Sequence, residues 1–247
     1  DHAGKGAALN RGAAESRAGF LCFLDQDDIM LPGRLCLQLA VFDAEPATEV
    51  VYSDYERVTG SGEWLGQFTS RQASGEECLR QMARGSACVS MQTLMLRKNV
   101  FEKVGRFSED PDLTGLDDAE FFARLFASGA KLRYEPGVVQ QWTLHEGNYS
   151  GSAAFQEARE VLLEHLKNLA DRHPSIAGIL PRYRYHNTCA RGLYFLEKSM
   201  PREAAAEFAK MIRLRPFAWS GYYLWAKSCL EKTLAVKGAL SRSKRDS

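Results

Sequence analysis

The residues best placed to do chemistry are Asp25, Asp27 and Asp28, three carboxylates within four positions that follow directly on Phe20-Leu21-Cys22-Phe23-Leu24. A short apolar run bounded by Gly19 and by acids suits a strand buried on both faces, the kind found in a parallel sheet. Acids at the end of such a strand lie at the sheet's carboxyl edge, where open α/β folds bind ligands. Asp25 and Asp27 are two apart, so on an extended chain they point the same way, about 6–7 Å from one another. One acid can then hold a divalent cation while the other meets a second part of the same ligand. The alternative is an acidic turn that simply ends a strand.

A second acidic pair, Asp117-Asp118, opens a helical pattern. Glu120 stands at capping-box distance from Asp117, and Gly129 supplies the stop. With Asp117 as the cap, Asp118 begins the helix and its carboxylate faces a cleft; alternatively, both acids only complement the helix dipole. His145 follows a strand-like run, Val138 to Trp142, and an isolated histidine is more often structural than a ligand. Gly4-Lys5-Gly6 has a glycine–lysine pairing, but the upstream glycine and downstream Ser/Thr of a phosphate loop are missing.

These residues need a scaffold, and the pattern supplies one. Ala7 to Ala18 reads as a helix that approaches a sheet closely through Gly12, Ala13 and Ala14. Pro32 suits the first turn of a helix over Arg34 to Ala44, with Leu35, Leu39 and Phe42 on one face. Val50 to Asp54 reads as a short strand ending in an acid, Gly60 to Gly66 as a loop, and Glu76 to Arg84 as a helix. Val89 to Leu96 is strand-like and leads to a helix that Asn99 caps and Gly105 stops. Ser108 to Gly115 is polar and expected to be mobile, and Lys131 to Tyr134 and Val138 to Trp142 are two further short strands.

From Ser152 the character turns helical. Phe155, Ala158, Leu162, Leu166 and Leu169 form an amphipathic stripe, and Pro174 ends it. Between Gly192 and Pro216 the spacing matches a tetratricopeptide repeat, with Ala204 and Phe208 four apart, and Tyr222, Trp225 and Ala226 can open another unit. An unrelated helical hairpin is the alternative. Ser241 to Ser247 reads as a frayed tail.

The chain has 247 residues, 45% of them hydrophobic and 26% charged, enough for one large domain or a domain and a half. A net charge of +1 gives no electrostatic reason to expect nucleic acid as a partner. No apolar run approaches a membrane span in length, and the N-terminus has no signal-peptide core. The six cysteines are scattered without a C-x-x-C pair, which reads as free thiols in a reducing cytoplasm. Asn148-Tyr149-Ser150 fits a glycosylation sequon, which means little without a secretory signal.

Taken together and in order, these pieces resemble family 2 glycosyltransferases of the GT-A fold. The resemblance rests on Asn10-Arg11-Gly12, the Phe23-to-Asp28 strand end with Pro32, Tyr52-Ser53-Asp54, and Leu94-Met95-Leu96-Arg97 with Phe101 to Phe107. It continues through the Asp117-Asp118 helix start to His145 near Ser150. It implies a mixed, Rossmann-like α/β sheet flanked by helices over residues 1–150, lacking its first strands, and an all-α, tetratricopeptide-like segment over 151–247. It further implies inverting transfer of a sugar from a nucleotide-diphosphate donor to the hydroxyl of a saccharide, lipid or protein acceptor. By the same resemblance Asp118 is the general base, Asp25, Asn10 and Asp117 bind the donor, and Asp27 and His145 hold Mn²⁺ or Mg²⁺. A protein partner for the C-terminal helices and a cytoplasmic, peripherally membrane-associated location complete the expectation.

Leu9 departs from the family, standing where many members carry arginine. The family's opening strands, which build the nucleotide-base pocket, are absent here, and an N-terminally truncated gene product is the expectation. The Gln-x-x-Arg-Trp signature of processive synthases is also missing, so a single transfer is expected. Two other classes compete: a haloacid-dehalogenase-like phosphatase, with Asp25 as nucleophile and Asp27 as acid, and a non-catalytic helical adaptor.

Overall fold

A computed structural model describes residues 4–86, 88–145 and 152–229. The sequon at 148–150, the domain division expected at 150 and the tail at 241–247 lie outside the described residues. The chain forms two compact units, Asp1–Met82 with Ser86–Leu180 and Ala83–Gly85 with Pro181–Ser247.

The first unit is a mixed sheet with flanking helices. Its helices are α1 (Gly4–Glu15), α2 (Arg34–Ala44), α3 (Gly75–Met82), α4 (Lys98–Val104), α5 (Asp117–Ala127) and α6 (Ala153–Ala170). Its strands are β1 (Phe20–Cys22), β2 (Ile29–Met30), β3 (Val50–Thr59), β4 (Trp64–Phe68), β5 (Met95–Arg97) and β6 (Leu132–Leu144). The strand order is β1-β5-β3-β6-β2, with β4 also paired to β3. β3 is the centre: Val50, Val51 and Tyr52 are fully buried, β5 pairs along its start and β4 along its end. β6 runs parallel to it over its whole length.

The strand before the acids differs from its expectation. β1 pairs antiparallel with β5, and of its three residues only Leu21 is buried. The apolar run is long because Phe23, past the strand, packs its ring against Phe101 at 6.0 Å and Phe107 at 5.1 Å. Phe107 in turn meets Phe121 of α5 at 4.6 Å. Aromatic packing, not two-sided sheet burial, thus accounts for the run, and it fixes the first acids relative to α5.

The two strands expected over 131–142 are one strand, β6. Its register against β3 shifts between Tyr52 and Asp54, where Tyr134 and Val138 are the partners, so β6 carries extra residues there as a bulge. Asp54 holds this bulge, accepting from the Tyr134 hydroxyl at 2.9 Å, Gly137 N at 3.3 Å and Ser70 N at 2.8 Å. Asn99 does not cap α4. The cap is Arg97 and no side chain bonds there, because β5 runs straight into the helix and leaves Asn99 inside its first turn. The polar stretch 108–115 is pinned: Pro111–Leu113 form a 3-10 turn capped by Asp110, Leu113 is fully buried, and His165 of α6 meets Asp110 at 3.0 Å.

The second unit contains most of α7 (Pro174–Glu197), with Pro181 inside it, and α8 (Pro201–Leu214). Ala204 and Phe208 are fully buried in a cluster with Tyr185 and Met211. A Cβ on Gly192 would stand 2.4 Å from the Phe208 ring, so the glycine is what lets α7 and α8 close. Helical backbone resumes over 219–229.

Candidate active site

The acids after β1 sit in a turn, closed by Asp28 N donating to Asp25 O at 3.2 Å, and that turn is tied to β6. Asp28 accepts from Thr143 N at 3.0 Å and from Gln140 Nε2 at 3.0 Å. Gln140 also accepts from the fully buried Arg34 guanidinium at 2.8 Å. Arg34 further donates to Gln38 at 3.2 Å and to Leu94 O at 3.1 Å. A buried cation with only neutral acceptors is costly unless every donor is used; here the guanidinium organises α2, β6 and the approach to β5. Asp28, pushed up to about 6 by burial and by Asp25 and Asp27, is the acid that anchors the turn.

Asp27 Oδ2 lies 2.9 Å from His145 Nε2, both side chains part-exposed. β6 delivers His145 there, since the residue follows the strand's last position, Leu144. Asp25 pairs with Lys5 of α1, whose Nζ stands 2.9 Å from Oδ1 and 3.0 Å from Oδ2. Gln92, from a 3-10 turn over Met91–Thr93, points its amide at Asp25 from 3.5 Å.

The second acidic pair arrives on α5. The cap is Leu116 rather than Asp117, and Glu120 does not fold back as a capping box. It pairs instead with Arg124 at 2.6 Å, whose guanidinium also holds the carbonyls of Val104, Gly105 and Arg106. Asp117 is therefore the first helical residue, buried, and its Oδ2 has no hydrogen-bond partner. Burial raises its pKa against the pull of Lys5. Asp118 is half-buried and pushed up to about 6, first by desolvation and then by Asp117, with Lys5 opposing and Asp25 adding to the rise. Lys5 thus feels Asp25, Asp117 and Asp118 together, while Asp28 feels Asp25 and Asp27. Asp25 is the common member of the two sets of charges. A carboxyl near 6 can take a proton at neutral pH.

Residues 1–105 match the family model described as Glycosyl transferase family 2. Residues 1–105 are a glycosyl transferase family 2 domain. Asp25 and Asp27 lie within the matched residues, whereas Asp117, Asp118 and His145 lie beyond them. The match favours the transferase expectation over the phosphatase one. Members of this family commonly use divalent cations.

A carboxylate and an imidazole side by side are a donor set that Mn²⁺ accepts, and Mg²⁺ sites often have only one or two protein carboxylates. Among the described residues no three His, Cys, Asp or Glu side chains group closely enough to hold a metal alone. Asp27 and His145 therefore fit a cation that completes its shell with substrate oxygens and water. Asn10 is buried and fully engaged: its amide donates to Phe107 O at 3.0 Å and Glu109 at 2.8 Å, and accepts from Phe107 N at 2.9 Å. Its place in the transferase domain is to clamp α1, and hence Lys5, beside α5.

Lys5 had a sequence signal only as an incomplete phosphate loop, and nothing in its spacing pointed to Asp25. Gln92, Gln140 and Arg34 had none, since each acts through a partner distant in the chain. A concavity of about 700 Å³ beside α3 and α5 is lined by Glu76 but by none of these acids, so chemistry and not size locates the site.

Proposed function

We propose that the transferase domain moves a sugar, with inversion, from a nucleotide-diphosphate donor to an acceptor hydroxyl. The observation that carries this reading is the convergence on Asp25 of two acidic clusters far apart in sequence. One includes Asp27 and His145, the other an Asp118 carboxyl held near 6. Asp27 and His145 would hold the cation, which would supply positive charge against that building on the departing diphosphate. Asp25, kept oriented by Lys5, and Asp117, with its unpartnered buried oxygen, bind the donor. Asn10 contributes by holding α1 in place.

Asp118 takes the proton of the acceptor hydroxyl as that oxygen attacks the anomeric carbon from the face opposite the leaving group. General-base assistance of this kind is worth about 10²–10⁴-fold. Lys5 keeps enough of Asp118 ionised near neutrality for this to work. Aromatic packing of Phe23 on Phe107 and of Phe107 on Phe121 links the acid turn to α5.

A thermal-shift screen of nucleotide sugars, with and without Mn²⁺, tests the reading. A Mn²⁺-dependent shift is expected with at least one donor, lost in Asp27→Ala and kept in Asp118→Asn, which binds but does not turn over. Transfer by Asp118→Asn at the wild-type rate removes Asp118 as base, and a Mn²⁺-dependent shift surviving in Asp27→Ala removes the metal assignment.

A further inference from the structure

Outside the acid cluster, Cys78 and Cys88 stand out. Both are free thiols and both are buried, Cys78 fully and Cys88 to 6% exposure. Their sulfurs lie 2.6 Å apart. The side chains already face one another across ten positions of chain, so a covalent S–S bond of about 2.05 Å needs only a small approach of the two sulfurs. Cys78 belongs to α3. Cys88 starts the segment that leads into the 3-10 turn with Gln92, and its carbonyl accepts from Ser70 Oγ at 3.4 Å.

We propose that Cys78 and Cys88 are a reversible redox pair whose disulfide tethers α3 to the segment that carries Gln92 toward Asp25. The pair stands apart from the transfer reaction and does not depend on the reading of the acids. Cys88, the less buried of the two at 6% exposure against 0% for Cys78, is assigned the first reaction. The hydrogen bond from Cys78 and the nearby Arg71 hold its pKa below the ordinary thiol value, whereas that hydrogen bond and burial push Cys78 up.

With a peroxide as oxidant, the Cys88 thiolate attacks one peroxide oxygen, forming a sulfenic acid and expelling hydroxide. The Cys78 sulfur then displaces the sulfenic hydroxyl, which leaves as water with the Cys78 proton, and the hydroxide takes up the proton that Cys88 lost. Two thiols and one peroxide become one disulfide and two waters. A thiol reductant reverses the change by exchange. Closing this loop restricts the opened forms of the segment and slows its local unfolding.

The test uses the whole protein, oxidised with hydrogen peroxide in its native state, blocked with N-ethylmaleimide and digested with trypsin without reduction. Cleavage after Arg71, Arg80, Arg84 and Arg97 puts the two cysteines on separate peptides, 72–80 and 85–97. The expected product is these two peptides joined, lighter by two hydrogen atoms than their sum, and separated by a phosphine. Cys22, Cys36, Cys189 and Cys229 are expected to keep their maleimide label. Maleimide on both Cys78 and Cys88 after oxidation, or a preferred bond to any other cysteine, overturns the pair. Hydrogen exchange at 88–92 is expected to slow about tenfold in the oxidised protein, and equal exchange in both forms overturns the tether. Both readouts use the native sequence, so they do not depend on whether a Cys78→Ser variant folds.

Discussion

At Asp118, burial and the Asp117 carboxylate raise the affinity for a proton while Lys5 lowers it, and the balance stands at about 6. With Asp118 as the base we propose, which works ionised, kcat/KM is expected to rise with pH through about 6 and level off above it. Lys5→Met removes the opposing cation, so the acid limb should move to higher pH; an unmoved limb would show that Lys5 acts only on Asp25. Asp118→Asn should lower kcat by about 10²–10⁴-fold with donor binding kept. It should also stabilise the fold. A carboxyl whose folded pKa is raised from 3.8 to about 6 favours the folded state while protonated, and that advantage is lost as pH climbs through this window. At pH 7 the ionised group costs about 1–3 kcal/mol, which the amide does not, so urea melts should place the variant above wild type at pH 7 and level with it near pH 3. Chelation by EDTA should remove the donor-dependent thermal shift, with Mn²⁺ restoring it.

Among the elements, those whose sequence pattern matched their surroundings were legible and those defined by a neighbour were not. α6 carries its buried face as a stripe of Ala158, Leu162 and Leu166, and the stripe located it. β4 exposes Trp64 and Leu65, so no alternation marked it, and only pairing with β3, including Tyr55 stacked on Phe68 at 4.9 Å, makes it a strand. The α7–α8 hairpin was legible at Gly192, Ala204 and Phe208, because close packing of helices demands a small residue opposite a ring. Gly192→Ala should therefore cost about 1–3 kcal/mol by overpacking and Phe208→Ala about 3–5 kcal/mol by leaving a cavity, both read from denaturant midpoints. Arg34→Met should cost several kcal/mol, on the order of 3–5, because Gln38, Gln140 and the Leu94 carbonyl lose a buried donor. A stability unchanged in that variant would remove Arg34 as the organiser of the acid turn.

For the whole molecule, no described helix is long and apolar enough to cross a membrane, and the charge balance is near neutral at +1. The class of the fold and the helical character of the C-terminal part were determined by the sequence alone. Each depends on local chemistry: carboxylates beside a strand-like run, a period of two or of 3.6, and prolines and glycines at the ends. Tertiary structure decided which acids brace the fold. Asp54 and Asp28 look like Asp25 and Asp27 in sequence, yet the fold uses the first to hold a bulge and the second to anchor a turn. It also brought Lys5 of α1 and Asp118 of α5 to bear on the same acid, Asp25. Such roles depend on desolvation and on charges from distant segments, and these exist only once the chain has folded.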